Sequence, residues 1–214
     1  QVTWRVLPNE RISWEEIAQK MAAQRSICTI VNMKKHAKKL FDALKLVCET
    51  ESVFYITTEL CPAHRRVVIE QVKKRLRDGL PCRVVATQCI EAGVDLDFDS
   101  VFRALAPLES IIQAAGRCNR NGRHPEGGQV LVFLPDEDNL YPDNWYNKAA
   151  TLVSALHIEK PIDLMNPSDI QRYYQKLFWK LKGEKKLSEA IQMQDYAGVE
   201  KNYRIIKNDG VQVL

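Results

Sequence analysis

Residues 82–123 read CRVVATQCIEAGVDLDFDSVFRALAPLESIIQAAGRCNRNGR, and this segment decides the fold. It begins with a short β-branched run, CRVVAT, which is followed by a polar loop and a second apolar run, SVFRAL. Apolar residues then recur at helical spacing over roughly 108–118, before a loop that contains glycine and arginine. A strand, a loop, a strand and a helix in this order predict one unit of an α/β domain with parallel strands.

The same alternation continues on both sides of this segment. Ser13 and Glu16 form a capping-box pattern at the start of one predicted helix, and Pro62 suits the first turn of another. Further strands are predicted from the apolar runs at 2–7, 26–31, 52–57 and 129–134. Because these runs are almost continuously apolar, they indicate strands that are buried on both faces. The predicted fold class is therefore α/β, a three-layer domain with a mainly parallel sheet between helices.

The pattern changes after about residue 136. A connector rich in Pro, Asp and Asn leads to two predicted helices, over roughly 143–156 and 168–181, and a strand-like run begins at Val211. We therefore expect a first domain over 1–136 and a small helical extension over 137–214. A chain that lacks an initiating Met and ends where a strand begins is expected to be an excised piece of a longer protein.

The composition is that of a globular protein in a reducing compartment. Hydrophobic residues make up 45% of the chain and charged residues 27%, which argues against disorder. No apolar run approaches the ~20 residues that span a bilayer, and the N-terminus lacks a signal-peptide pattern. We therefore expect no membrane partner and a cytoplasmic location. The net charge of +4 permits a nucleic-acid partner without requiring one.

The cysteines and histidines do not predict a metal site. Six cysteines occur without a CxxC pair, so we expect reduced thiols rather than a disulfide framework. Cys61 and His64 have a ligand-like spacing, but no second pair with metal-site spacing accompanies them. With four histidines in the whole chain, we predict that this segment holds no metal.

Two polar motifs are expected at the loops where parallel sheets bind ligands: one follows a predicted strand, and the other ends the helix that follows another strand. Thr87, Gly93 and Asp95 fit the pattern TxxxxxGxD. About 20 residues later, four residues fit the pattern QxxGRxxR: Gln113, Gly116, Arg117 and Arg120. Two arginines three positions apart suit a phosphate site, because planar guanidinium groups bind phosphate oxygens well. The alternative is an exposed helix end, where the helix dipole favours cations.

The two motifs, in this order and spacing, resemble those of the second RecA-like lobe of superfamily 2 helicases. The runs CPAHR, TQCIEAGVDLDF and QAAGRCNRNG narrow the resemblance to the CRISPR-associated helicase–nuclease of type I systems. The similarity covers most of the chain from about residue 26 and is weakest over the last 35 residues. It implies a RecA-like fold and a motor lobe that acts on single-stranded DNA in the cytoplasm of a prokaryote.

The resemblance also implies a role for each motif residue. Arg120 would be an arginine finger, Arg117 a second phosphate contact, and Gln113 would order the γ-phosphate and the attacking water. Gly116 of the second motif would let its helix pack close to the cleft. Gly93 and Asp95 of the first motif would touch the ribose of the nucleotide and the network between the lobes.

Single-stranded DNA would run along residues at the ends of the strands. By resemblance, Thr87 would meet a nucleic-acid phosphate. Four further candidates for backbone contacts are Thr57, Thr58, His64 and Arg65. The alternative for these four is a strand end and a solvated helix face. The lysines within 33–46 are interpreted as the solvent-exposed face of an amphipathic helix. Asn32 is expected to face either the cleft or the loop backbone.

Several parts of a complete motor are missing from this sequence. It contains no GxxxxGKS or GxxxxGKT loop, so ATP with Mg would be bound mainly by a first RecA-like lobe elsewhere in the protein. The run VLVFLPDED (130–138) is interpreted as a strand that enters an acidic turn, not as a Walker B motif. The resemblance implies three partners besides DNA: that first lobe, a nuclease domain and a guide-RNA surveillance complex. We expect the 214 residues alone neither to hydrolyse ATP nor to cut DNA.

Three alternatives remain open at this point. In the first, the chain is a lobe of another superfamily 2 helicase or translocase that acts on RNA or DNA. In the second, it is a nucleic-acid-binding module without a catalytic role. A third alternative keeps the resemblance but makes this chain a separately encoded lobe that pairs with another polypeptide. Stimulation of ATP hydrolysis by DNA or by RNA distinguishes the first alternative, and the effect of replacing Arg120 distinguishes the second.

Overall fold

The central feature of the chain is one sheet of six strands. The structure, a computed structural model, describes residues 2–91, 94–181, 189 and 191–202. The strands are β1 Val2–Ile12, β2 Ser26–Ile30, β3 Val53–Ile56, β4 Cys82–Ala86, β5 Ser100–Ala104 and β6 Gly128–Pro135. They lie in the order β1-β6-β5-β2-β4-β3, and every neighbouring pair is parallel. All six predicted strands and the parallel sheet are therefore confirmed.

Helices cover both faces of the sheet. The helices in the described part of the chain are α1 Trp14–Ala22, α2 Lys34–Val47, α3 Pro62–Arg77, α4 Leu108–Ala115, α5 Asn144–Glu159, α6 Pro167–Leu181 and α7 Tyr196–Asn202. One core contains Ile17 of α1, Leu40 of α2 and, from the sheet, Ile27. The other core contains Val72 of α3 and Ala114 of α4. The central strands β2 and β5 are buried at every position, as expected from their mostly apolar sequences.

The predicted helix starts are confirmed at two places. The backbone N–H of Glu16 donates to Ser13 Oγ (3.2 Å), and the Ser13 N–H donates to Glu16 Oε2 (3.0 Å). Pro62 is the first residue of α3, where its missing N–H costs nothing. These caps are local, so the sequence pattern alone was enough to predict them.

The prediction for α4 was too long by three residues. The helix ends at Ala115 and not near 118, with Gly116 at its C-cap. Beyond it the backbone pairs with the segment before β5: Phe98 N–H donates to Arg117 O (2.9 Å), and Asn119 N–H donates to Phe98 O (2.8 Å). Pairing with a neighbouring strand segment thus replaces the last helical turn.

The chain divides into two compact units, Gln1–Tyr173 and Tyr174–Leu214. The first unit contains the whole sheet, and also α5. The predicted division at residue 136 stays a prediction, and the predicted strand at Val211 lies outside the described residues. None of the helices in the described part of the chain is long and apolar enough to cross a membrane.

Candidate functional site

The carboxyl ends of β2, β3 and β4 bring polar residues together at one edge of the sheet. These strands are followed by Asn32, Thr57 and Thr87. The Thr87 N–H donates to Ile56 O (3.2 Å), and Gln88 Nε2 donates to the backbone oxygen of Asn32 (3.0 Å). Hydrogen bonds between neighbouring strand ends therefore fix this edge as one surface, as expected for a parallel sheet.

An open cavity of about 690 Å³ lies at this edge. Its lining includes Thr58, Thr87 and Gln88, together with Lys34 and Lys35 from the first turn of α2. The N-cap residue of α2, Met33, gives no side-chain hydrogen bond to the helix, so first-turn N–H groups are left for another acceptor. Both lysines are exposed. The cavity thus combines two cations, hydroxyl groups and a helix N-terminus, which suits an anionic ligand.

The nucleic-acid candidates do not all face this cavity. Thr58 is exposed, whereas Thr57 is fully buried and its Oγ1 accepts from the Glu59 N–H (3.2 Å). His64 is exposed beside a different cavity of about 700 Å³, between β3 and α3. Arg65 donates to Leu60 O (3.0 Å), at the start of α3. The structure therefore brings Thr58 and Thr87 together and places His64 and Arg65 apart from them.

Arg117 is engaged within the lobe. Its Nη2 donates to Glu91 O (2.6 Å) and its Nε donates to Ile90 O (3.3 Å). These two carbonyls belong to the loop that follows Thr87, so the guanidinium joins the end of α4 to the first motif. The two motifs that the sequence analysis treated separately are thus in direct contact.

Arg120 is more accessible than Arg117. Its side chain is 44% exposed, and its Nη1 lies 3.1 Å from Oδ1 of Asp95, which is 80% exposed. An ion pair this exposed is weak, so the guanidinium is free to exchange its partner for a phosphate. Gln113 is also exposed, on α4, and Gly116 follows at the helix end. Gly93, the remaining nucleotide candidate, lies outside the described residues.

A buried polar network lies beneath the first motif, and the sequence analysis did not predict it. Arg103 of β5 is fully buried and its Nε donates to Glu91 Oε1 (3.0 Å). Its Nη1 donates to Asn32 Oδ1 (2.7 Å), and its Nη2 donates to the hydroxyl of Tyr146 on α5 (2.9 Å). Burial raises the pKa of Glu91, and the nearby Arg103 guanidinium counteracts that shift. An arginine inside a buried strand requires such partners, and this was the signal available in SVFRAL.

The acidic turn after β6 has a structural role. Glu137 Oε2 accepts from Trp14 Nε1 (3.0 Å) and from Lys39 Nζ (2.6 Å). These hydrogen bonds, with Lys39 first, lower the pKa of Glu137 to about 2. The carboxylate thereby joins the end of the sheet to α1 and α2. The run VLVFLPDED behaves as a strand and a turn, as the sequence analysis interpreted it.

No metal ligand set is found in the part of the chain that the structure describes: no three His, Cys, Asp or Glu side chains are grouped to hold an ion. Cys61 is exposed at the start of α3. Burial raises the pKa of Cys82 and of Cys118 to about 12, so both side chains are thiols at neutral pH. That this segment holds no metal stays a prediction.

Known proteins share both the sequence motifs and the fold. The family model described as CRISPR-associated nuclease/helicase Cas3, C-terminal, matches residues 23–123, which include both motifs. The CRISPR-associated nuclease/helicase Cas3 of Haloferax volcanii is 50% identical over 84 residues, which cover 36% of this chain and 9% of that protein. The chain spans between 9% and 23% of the length of the first three curated relatives that it matches.

Solved structures extend the likeness to nearly the whole chain. The crystal structure of T. fusca Cas3-ATP has a TM-score of 0.65 at 17% identity and covers 94% of this chain and 26% of that one. A chain of a CRISPR RNA-guided surveillance complex, pre-nicking, has a TM-score of 0.63 at 17% identity and covers 97% of this chain and 29% of that one. Likeness at this level of identity concerns the fold, and it confirms the predicted RecA-like α/β class.

Proposed function

We propose that this chain is the second motor lobe of an ATP-dependent translocase or helicase for single-stranded DNA in type I CRISPR interference. The match of residues 23–123 to the C-terminal part of the CRISPR-associated nuclease/helicase Cas3 supports this proposal. The observation that carries the proposal is the state of Arg120. Its guanidinium is half-exposed, pairs with an exposed carboxylate as its one ion-pair partner in the described part of the chain, and belongs to a loop at the end of α4. Such a group is available to a phosphate presented by a second body.

The nucleotide would lie between this lobe and the first RecA-like lobe of the same protein. The likeness to a structure of T. fusca Cas3-ATP supports nucleotide binding in the complete protein. ATP with Mg, when bound, supplies the reactive γ-phosphoryl group. Arg120 would neutralise charge on the phosphate oxygens during transfer, an effect worth about 10³–10⁵ in rate for an arginine finger. Gln113, exposed on α4, would orient the attacking water.

We propose that Arg117 mainly supports the loop that follows Thr87, before any contact with a phosphate. Its guanidinium holds two backbone carbonyls of the loop that follows Thr87, so a direct phosphate contact requires Arg117 to leave at least one of them. Asp95 pairs with Arg120 in the lobe described and would release it when a phosphate arrives. Gly116 ends α4 next to these residues, and the role of Gly93 stays a prediction from the motif.

The single-stranded DNA track is proposed to follow the cavity at the carboxyl edge of the sheet. Phosphates would be contacted by the hydroxyl of Thr58, by Thr87 and by the first turn of α2, where Lys34 and Lys35 are exposed. Contacts of this kind hold the backbone and do not read the sequence of bases. Thr57 supports the turn that presents Thr58, because its own hydroxyl is turned inward.

The remaining partners are proposed from the proteins that this chain resembles. A match to a chain of a CRISPR RNA-guided surveillance complex supports association of the complete protein with such a complex, and the name nuclease/helicase supports a nuclease domain in the same protein. The lobe alone has no ATP-binding loop of its own among its 214 residues. We therefore propose that it is inactive by itself.

The experiment is ATP hydrolysis by the full-length protein, with and without single-stranded DNA or RNA, compared with the 214-residue chain alone. Replacing Arg120 by Ala is expected to lower the DNA-stimulated kcat by at least about 100-fold. Lys20→Ala removes an exposed cation from α1 and is expected to leave kcat unchanged. Turnover that survives Arg120→Ala would overturn the motor proposal, and stimulation by RNA alone would favour another superfamily 2 function.

A further inference from the structure

The carboxylate of Asp97 lies under the loop that carries Arg120. The backbone N–H of Arg120 donates to Asp97 Oδ1 (2.7 Å), and the backbone N–H of Asn121 donates to Asp97 Oδ2 (3.2 Å). The side-chain amide of Asn121 donates to the same Oδ2 (2.9 Å). Although the loop is at the surface, the Asp97 side chain is only 9% exposed. Both oxygens of one ionised group are therefore used to hold two consecutive residues of the loop.

The loop itself is a tight turn that needs support. Asn119 has a left-handed backbone conformation with φ of 46°, which few residues with a side chain adopt. Its own side chain closes the far half of the turn, since Nδ2 donates to His124 O (2.8 Å) and Oδ1 accepts from the His124 N–H (3.0 Å). Asp97 closes the near half, which is the half that carries Arg120.

Asp97 is itself held in a fixed register with the end of α4. The next residue, Phe98, is buried and exchanges backbone hydrogen bonds with Arg117 (2.9 Å) and Asn119 (2.8 Å). Because these bonds fix the backbone on both sides of the loop, movement of the Asp97 carboxylate relative to Arg120 is restricted. A carboxylate attached to such a rigid segment sets the position of the N–H groups that it accepts from.

We infer that Asp97 is a positioning residue that aims Arg120 at the transferring phosphate, an inference that rests on the function proposed above. Asp95 and Asp97 act on Arg120 at different points: Asp95 meets the exposed guanidinium (3.1 Å) and Asp97 meets the main chain (2.7 Å). The first contact is readily exchanged for a phosphate and the second is retained. Asp97 does not touch the nucleotide in this scheme, since its oxygens already accept from the loop.

The expected consequence is kinetic. In Asp97→Asn, the amide keeps the shape of the side chain but turns an NH₂ group toward donors, so at least one loop contact is lost. A misplacement of about 1 Å in a catalytic group costs on the order of 10²-fold in rate. We expect Asp97→Asn to lower the DNA-stimulated kcat of the full-length protein by about 10- to 100-fold. The KM for ATP is expected to change by less than about 3-fold, because ground-state binding does not need the arginine to be in place.

The control is Asp99→Asn, which removes an equal charge two residues away. Asp99 Oδ1 faces the His124 ring (2.8 Å), and its carboxylate makes no hydrogen bond to the backbone of 119–121 in the described contacts. We expect the kcat of this variant to stay within about 2-fold of wild type, since exposed charges away from the reaction contribute little. Equal losses in Asp97→Asn and Asp99→Asn would mean that charge, and not the loop contact, is what matters, and would overturn the inference.

A double variant distinguishes positioning from a general structural effect. If Asp97 acts through Arg120, then adding Asp97→Asn to Arg120→Ala lowers kcat no further, whereas independent effects would multiply. Hydrogen exchange provides a second readout: the peptide over 119–123 should exchange faster in Asp97→Asn, and peptides of β2 and β4 should not. If Asp97→Asn does not fold, Asp97→Ser keeps one acceptor and is expected to give the same pattern of kcat and KM.

The outcomes separate this inference from the proposed function. If Arg120→Ala leaves kcat intact, the arginine-finger proposal fails and the positioning role falls with it. If Arg120→Ala lowers kcat but Asp97→Asn does not, only the inference about Asp97 is overturned. A multiplied loss in the double variant would likewise overturn positioning while leaving the role of Arg120 intact.

Discussion

Arg103 Nε lies 3.0 Å from Glu91 Oε1, in an ion pair whose two side chains are 0% and 5% exposed. The pair connects the middle of the sheet to the loop that follows Thr87. Asn32 and Tyr146 accept from further donors of the same guanidinium, so β2 and α5 are connected to the same group. The backbone of Glu91 is in turn held by Arg117 (2.6 Å). Motif residues at the surface are therefore supported by a network whose central ion pair is buried.

Glu91→Gln tests this support. The substitution leaves Arg103 buried without a counter-charge, and breaking a buried ion pair from one side costs about 3–5 kcal/mol of unfolding free energy. Urea unfolding of the chain, followed by circular dichroism, measures the loss. Glu126→Gln, at an exposed position, is the control and is expected to stay within about 0.5 kcal/mol of wild type. A loss no larger than that of Glu126→Gln would contradict the assigned role of the pair.

The two motif arginines are expected to differ in stability. Arg117→Ala leaves the carbonyls of Ile90 and Glu91 without their donor, so the melting temperature should fall, with a loss of about 1–3 kcal/mol. Arg120→Ala removes only an exposed pair with Asp95, so its loss should be no more than about 1 kcal/mol. Thermal unfolding of the two variants gives the comparison. Equal melting temperatures would mean that the contacts of Arg117 stabilise the lobe no more than those of Arg120.

Most of the fold followed from the sequence because its signals are local or periodic. Continuous apolar runs predicted β2, β4 and β5, and capping residues predicted the starts of α1 and α3. The carboxyl edge was also predictable, because all parallel strands end there. The family likeness rested on the residue types and the spacing of the two motifs.

The interior of the site was less predictable, because its contacts join residues that are far apart in the sequence. Arg103 and Glu91 are 12 residues apart with a turn between them, and nothing local states that they pair. The inward turn of Thr57 and the outward turn of Thr58 depend on where β3 ends, and a shift of one residue reverses the two. The end of α4 depended on Phe98, a residue that no local helix signal includes.

The proposed DNA track predicts a change in salt dependence. Binding of a labelled single-stranded oligonucleotide to the full-length protein is measured by fluorescence anisotropy over a series of salt concentrations. Lys34→Ala and Lys35→Ala should each lower the affinity and reduce the slope of log K against log salt by about 0.7, the value for one lost phosphate contact on a single strand.

Lys45→Ala is the matched control for this experiment. Lys45 is exposed on the last turn of the same helix, where its Nζ lies 5.6 Å from the centre of the Phe41 ring. Its removal changes the net charge by the same amount but is expected to leave the slope unchanged. If all three variants reduce the slope equally, the effect reflects total charge, and the track does not run past the N-terminus of α2.

His36 and Glu137 predict the acid sensitivity of the lobe. The His36 ring is buried against Trp14, with ring centroids 5.4 Å apart, and its Nε2 has no hydrogen-bond partner among the residues that the structure describes. Burial, with help from Lys35, lowers the pKa of His36 to about 4. As the pH falls, His36 therefore becomes protonated in the unfolded chain first, near the ordinary histidine pKa of about 6.5. Stability from neutral His36 is complete above about pH 6.5 and falls as pH decreases toward 4, by up to about 3 kcal/mol.

Glu137 loses its stabilising contribution in a lower pH window, again because a deprotonated side chain takes up a proton. Its pKa is lowered to about 2, so the stability from its carboxylate is complete above its ordinary value of about 4.5 and is lost as pH falls toward 2. Urea midpoints measured from pH 8 to pH 3 should therefore decline in two stages. His36→Phe keeps a ring against Trp14 and should reduce the decline between pH 6.5 and 4.5, whereas His64→Phe, at an exposed position, should leave it unchanged. A decline that persists in His36→Phe would show that the uptake of a proton by another group controls acid unfolding.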